Sequence, residues 1–216
     1  MDLLSTILGQ FMGVGVLAMI VIFQPELRKF FMYLGRTTEI NRDFFRSLIL
    51  GVNKDYGILQ LLEALKSLMA TKTGSLIVLS RDEELKFYVE TGEYIETPIK
   101  QSLLLSIFNK QSPLHDGAVI IYEGKMQAAK CVLPVSENNH LPPTFGLRHR
   151  AGVGMSEITD TLVMVVSEET GKLTLARNGK FVRNLKIKAV ERKILEFFQK
   201  REPKNWEETS PEDLID

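Results

Sequence analysis

Apolar positions along this chain change their period from segment to segment, and each period predicts an element. From Leu3 to Phe23 the run LLSTILGQFMGVGVLAMIVIF carries no charge. At about 1.5 Å per residue, a helix of that length crosses a bilayer core of about 30 Å. Residues 1–23 are therefore expected to form a transmembrane helix. Asp2 opens the chain, no basic residue precedes the run and no small-x-small site follows it, which argues against a cleaved signal peptide. Arg28, Lys29 and Arg36 come next, and basic residues on that flank orient the remainder toward the cytoplasm, as a single-pass protein. Gly9 and Gly13 have the spacing of close helix packing, a weak signal from one pair. A buried helix of a soluble protein is the alternative, since Gln10 and the glycines dilute the run.

Residues 24–56 turn amphipathic and basic and are expected to form a juxtamembrane connector and helix. Ile58, Leu61, Leu62, Leu65, Leu68 and Met69 then repeat at helical spacing. SLIVLS after Gly74 has strand length and β-branched character. Lys100 to Phe108 predicts a second helix, which Ser112 and Pro113 prevent from continuing. Strand patterns follow in AVIIY from Ala118, MQAAKCVLPV, TLVMVVS from Thr161 and KLTLAR from Lys172. Glu123-Gly124 and the ETG before Lys172 predict turns between antiparallel strands. A last amphipathic helix is expected over about Lys188 to Gln199, and the charged residues 201–216 read as a disordered tail. Helices at both ends with strands between them predict a mixed α/β (α+β) domain over 57–200, a twisted mixed sheet flanked by helices.

Lys plus Arg and Asp plus Glu are equal at 27 each, so no global charge draws the chain to nucleic acid, and any anion site must be local. Cys131 is the single cysteine, which excludes a disulfide framework and a cysteine-based zinc site; within KCVLPV it reads as a small core residue.

The usual phosphate motifs are absent. The gap from Gly171 to Gly179 ahead of Lys180 is too long for a Walker loop, and Gly152 and Gly154 lack the third glycine of a dinucleotide fingerprint, where Glu157 stands. LHDGA, residues 114–118, offers another device. His115 and Asp116 could serve a divalent metal, the carboxylate suiting Mg²⁺ or Mn²⁺ and the imidazole favouring Mn²⁺, Co²⁺ or Zn²⁺. Gly117 and Ala118 would let a phosphate or ribose approach the backbone. Taken alone, Asp-Gly is more readily a tight turn than a reaction site. GLRHRAGVG, residues 146–154, places Arg148, His149 and Arg150 together, an anion site if a helix begins there and aims its amides at phosphate. On a helix, however, residues two apart face away from each other, and an exposed basic turn is the plainer reading. In VSEETG a buried strand ends in Ser167 and Glu168, and Glu168 could supply a metal oxygen, while Glu169 reads as a solvated turn residue.

Together PLHDGAVII, LPVSE, GLRHRAGVGMSEITD and VSEETGKLTLARNG resemble the diadenylate cyclase domain, which makes cyclic di-AMP from two ATP molecules, and the likeness runs from about Gly74 to Leu185. The N-terminal segment ending in IFQPELR resembles the membrane-anchored class, which carries several transmembrane helices where one is legible here. The resemblance implies that Asp116, with Gly117 and Ala118, serves catalysis at the ribose 3′-hydroxyl. It implies that Arg148, His149, Arg150, Ser167 and Leu133 bind ATP, and that His115, Asp116 and Glu168 hold Mn²⁺, Mg²⁺ or Co²⁺. Two departures stand out: Leu147 where many relatives have Thr, and Val132 where some have an aromatic near the adenine. A product made of two identical halves implies a face-to-face homodimer. Beyond ATP, the membrane and a second copy, a regulatory protein is an open partner, and nucleic acid is not expected. The rival readings are a nucleotide sensor without turnover and a metal-dependent phosphohydrolase built on His115 and Asp116.

Overall fold

A computed structural model of the chain describes residues 57–198. The expected transmembrane helix, the connector and the charged tail lie outside them. Among the described residues no helix is long and apolar enough to cross a membrane.

The described residues form seven strands and five helices in the order α1 (Ile58–Ala70), β1 (Ser75–Ser80), α2 (Lys86–Val89), β2 (Glu93–Pro98), α3 (Gln101–Ile107), β3 (Ala118–Tyr122), β4 (Lys125–Cys131), α4 (Leu147–Ile158), β5 (Thr161–Val166), β6 (Leu173–Arg177), β7 (Lys180–Arg183) and α5 (Ile187–Phe198). The strands make one sheet in the order β2-β4-β3-β1-β5-β6-β7. Only β1 and β3 pair in parallel; all the other neighbours are antiparallel. The expected mixed sheet flanked by helices is the architecture found.

The central strands are apolar without interruption because both faces are covered. In β1, Ile77 and Leu79 face one core with α1, α3 and α5, while Leu76 and Val78 face a second core with α4. In β5, Leu162, Met164 and Val166 join the first core, and Val163 and Val165 the second. Each fully buried Leu, Ile or Phe contributes roughly 1.5–3 kcal/mol relative to exposure. Leu65, Leu104, Ile194 and Phe197, all at most 1 % exposed, therefore lock three helices onto one face.

Helix and strand bounds follow the sequence closely, with four additions: α2, β2, β7 and α4, the last of which the sequence offers only as a condition. MQAAKCVLPV was expected as one strand, but β4 ends at Cys131, and the segment after it lies along α4 instead. Strand β2 and the short α2 were not foreseen: EYIETP alternates between exposed and half-buried positions with no apolar face, since β2 is an edge strand broken by a bulge. Strand β7 was also missed, although Asn178-Gly179 carries its signal. Both residues take positive φ (51° and 73°), as do Glu123 and Gly124 (50° and 75°), the geometry of a two-residue hairpin turn.

Candidate active site

The register of the central strands sets the site. Ser75 at the start of β1 pairs with Val166 at the end of β5, and β3 runs parallel to β1. The residues before β3 and after β5 therefore emerge at the same end of the sheet. The N-terminus of α4 arrives there too, because two glycines let that helix sit close. A Cβ on Gly152 would lie 2.8 Å from Val165 Cγ2, and one on Gly154 would lie 2.5 Å from the Pro134 carbonyl oxygen. Ser136 of LPVSE fastens the loop to the helix. Its N–H donates to the Arg150 carbonyl (3.0 Å) and its hydroxyl to Glu157 Oε1 (2.6 Å).

These segments enclose a cleft of about 260 Å³ lined by Asp116, Thr144, Gly146, Leu147, Arg148, His149, Val166, Ser167, Glu168 and Glu169. Three sequence segments expected to cooperate are thus brought together. Gly146 caps α4 with extended backbone and no side-chain hydrogen bond, so the first-turn amides are left for a ligand at the positive end of the helix. Arg148 Nη1 lies 3.4 Å from Glu168 Oε1, and Arg148 Nε is buried without a hydrogen-bond partner. The Ser167 hydroxyl accepts the N–H groups of Glu169 (3.3 Å) and Thr170 (3.2 Å), which shapes the turn and leaves its own proton to donate.

The cation set is smaller than the sequence suggested. His149 stacks on Phe145, with centroids 4.7 Å apart and planes at 24°. Burial, aided by the nearby Arg183 charge, holds its imidazole below the usual histidine range, so the ring is a neutral hydrogen-bonding group near pH 7. Arg150 does not line the cleft: α4 begins at Leu147, and on a helix two residues of offset turn Arg150 away from Arg148. Leu133 is also outside the cleft. At 8 % exposure it belongs to the core beneath α4.

His115 is half-buried, and its Nδ1 is 2.6 Å from the Ser112 carbonyl oxygen. A carbonyl only accepts, so Nδ1 carries the proton, and in the neutral ring Nε2 keeps a lone pair for a metal. Among the described residues no three His, Cys, Asp or Glu side chains are grouped to hold a metal. Asp116 and Glu168 nevertheless line one cleft, two hard carboxylates that fit Mg²⁺ or Mn²⁺ once phosphate supplies further oxygens.

Gly117 and Ala118 are small for reasons of packing as well. Gly117 has φ +139°, and a Cβ there would lie 2.6 Å from the Lys130 carbonyl carbon; Ala118 is fully buried in the core beneath α4. Thr144, Glu169 and Gly74 are the site residues that the sequence did not disclose. A Cβ on Gly74 would lie 3.2 Å from both Arg148 Nη1 and Glu168 Oε2. Leu147 is 77 % exposed at the cleft and Val132 is 67 % exposed, its N–H donating to Thr91 Oγ1 (2.9 Å).

The chain is similar to known proteins over most of its length. Residues 62–181 match the family described as DAC, DisA bacterial checkpoint controller nucleotide-binding. The cyclic di-AMP synthase CdaA of Bacillus subtilis is 38 % identical over 198 residues, 91 % of this chain and 71 % of that protein. A diadenylate cyclase of Listeria monocytogenes is 37 % identical over 190 residues, 88 % of this chain and 68 % of that one. The crystal structure of a double mutant of DacA from Staphylococcus aureus superposes with a TM-score of 0.64 at 36 % identity, covering 65 % of this chain and 94 % of that one. Sequence, fold and cleft agree, and the chain belongs to the diadenylate cyclase family of nucleotide-binding enzymes.

Proposed function

We propose that this enzyme joins two ATP molecules into cyclic di-AMP with release of two pyrophosphates, using the cleft above in two facing copies. The observation that carries the proposal is the convergence of Asp116, the uncapped N-terminus of α4 with Arg148 and His149, and Ser167 and Glu168 on one cleft. Amides at a helix N-terminus and a guanidinium are the donors a triphosphate needs. Asp116 accepts the proton of the ribose 3′-hydroxyl as that oxygen bonds to the α-phosphorus of the other nucleotide. The bond from that phosphorus to the bridging oxygen breaks, and pyrophosphate leaves with the electron pair. Arg148 and the α4 amides stabilise the charge that moves onto it. Asp116, Glu168 and the His115 imidazole would hold Mn²⁺, Mg²⁺ or Co²⁺, which neutralises phosphate charge and acidifies the hydroxyl.

Each ring closure needs two attacks between two nucleotides. The product is a ring of two identical halves, so each copy's cleft is expected to bring one nucleotide. Two copies about a two-fold axis supply both halves. The charge-free run from Leu3 to Phe23 and the basic residues after it support a membrane-held protein with this domain in the cytoplasm, and an anchor raises the effective concentration of the second copy.

Purified protein given ATP with Mn²⁺, Mg²⁺ or Co²⁺ is expected to yield cyclic di-AMP and pyrophosphate, with specific activity falling on dilution. ADP or AMP in their place would indicate a phosphohydrolase, and ATP binding by calorimetry without product would indicate a sensor. Either outcome overturns the proposal.

A further inference from the structure

Phe145 lies outside LHDGA, GLRHRAGVG and VSEETG, yet its ring links the cleft to the far edge of the sheet. It is 5 % exposed and packs in the core beneath α4. On the cleft side it stacks on His149 at 4.7 Å and 24°. From β7, Phe181 meets it edge-on at 4.9 Å and 62°, and the Arg183 guanidinium carbon lies 5.2 Å from its centroid. Both distances are those of ordinary aromatic and cation–π contacts.

We propose that Phe145 is a positioning residue for the cyclase reaction: held by Phe181 and Arg183 of β7, its ring fixes the plane of the His149 imidazole at the cleft. This rests on the reading of the cleft as the ATP site. His149 stands in the first turn of α4 beside the open amides, where a neutral imidazole offers one N–H and one lone pair in the plane of its ring. Hydrogen bonds from such a ring weaken steeply when it turns out of line, so the neighbour that sets its plane sets what it can do. Arg148 and the amides supply the charge that holds the triphosphate whether or not His149 is aligned. Losing the stack is therefore expected to lower kcat more than it raises KM, because alignment counts most in the transition state.

The test uses the full-length enzyme and the variants Phe145→Leu, Phe145→Tyr and Arg183→Gln. Phe145→Leu, which stays apolar but removes the ring, is expected to lower kcat by about 10- to 100-fold, with KM little changed. Phe145→Tyr, which keeps the ring, is expected to retain wild-type turnover. Arg183 is exposed, so its variant keeps the fold, and removing its cation is expected to raise the NMR titration midpoint of His149. Wild-type protein that makes no cyclic di-AMP would sink the reading of the cleft itself. An active wild type whose Phe145→Leu variant turns over normally, or loses activity only in proportion to its unfolded fraction, would sink the positioning role. So would an Arg183→Gln variant with an unmoved His149 midpoint.

Discussion

Arg148 and Glu168 form an ion pair in the cleft, Nη1 to Oε1 at 3.4 Å, with the arginine 25 % and the glutamate 48 % exposed. The cation proposed for phosphate and the carboxylate proposed for metal thus pair with each other. Replacing Glu168 with Gln removes that competition and one negative charge. ATP binding without metal is expected to tighten by up to about fivefold, since exposed pairs contribute about 0.2–1 kcal/mol, while turnover with metal falls. Calorimetry in the presence of a chelator checks the first, and product analysis the second.

Asp116 is exposed at the cleft, so a change there tests chemistry rather than folding. Asp116→Asn keeps the shape and removes the proposed base. Turnover is expected to drop by about 10²- to 10⁴-fold while ATP still binds. A fully active variant would remove Asp116 from the mechanism.

At Gly146 a Cβ would meet nothing within 4 Å, and the backbone (φ −74°) suits any residue. Asp at this position can cap α4 with its own carboxylate, and that gain over Gly is only a few tenths of a kcal/mol. It also places negative charge where the phosphates are expected. Gly146→Asp should therefore melt at or slightly above the wild-type temperature yet bind ATP at least about tenfold more weakly, the worth of one charge-assisted hydrogen bond.

Gly117→Ala should fail for a different reason. Its φ of +139° and the Lys130 backbone 2.6 Å from any Cβ make the substitution a strain on the β3–β4 pairing. A loss of about 1–3 kcal/mol is expected, read as a lower urea midpoint before any assay of activity.

His149 gives a pH dependence whose sign is fixed. Its folded pKa is lowered, chiefly by burial and then by Arg183, so below the ordinary histidine value near 6.5 the unfolded chain binds the proton more readily. Stability therefore rises with pH through the window just below that value and is lost as pH falls through it. Urea unfolding between pH 5 and 7.5 should show the slope, and His149→Gln should flatten it.

Much of the fold was legible because the central strands are buried on both faces. SLIVLS, AVIIY and TLVMVV are strands by composition alone, and α1, α3 and α5 by their spacing. What escaped were the edges and α4: EYIETP has no apolar face to announce a strand, KFVR is too short, although Asn178-Gly179 before it marks the turn, and LRHRAGVGMSEI has no clear apolar stripe. The site was legible only as separate motifs, for which chemistry suggested partners but no arrangement.

The sequence by itself determined which residue types were available: hard carboxylates at Asp116 and Glu168, guanidiniums at Arg148 and Arg150, and glycines where backbones must approach. Tertiary structure decided which of them share a cleft. Starting α4 at Leu147 admits Arg148 and turns Arg150 away, and packing Leu133 into the core leaves it outside the cleft's lining. Stacking His149 on Phe145 contributes to making it neutral rather than a third cation. The physical reason is that helix phase, burial and long-range ring contacts depend on residues far apart in the chain, such as Phe145 and Arg183, which no local pattern brings together.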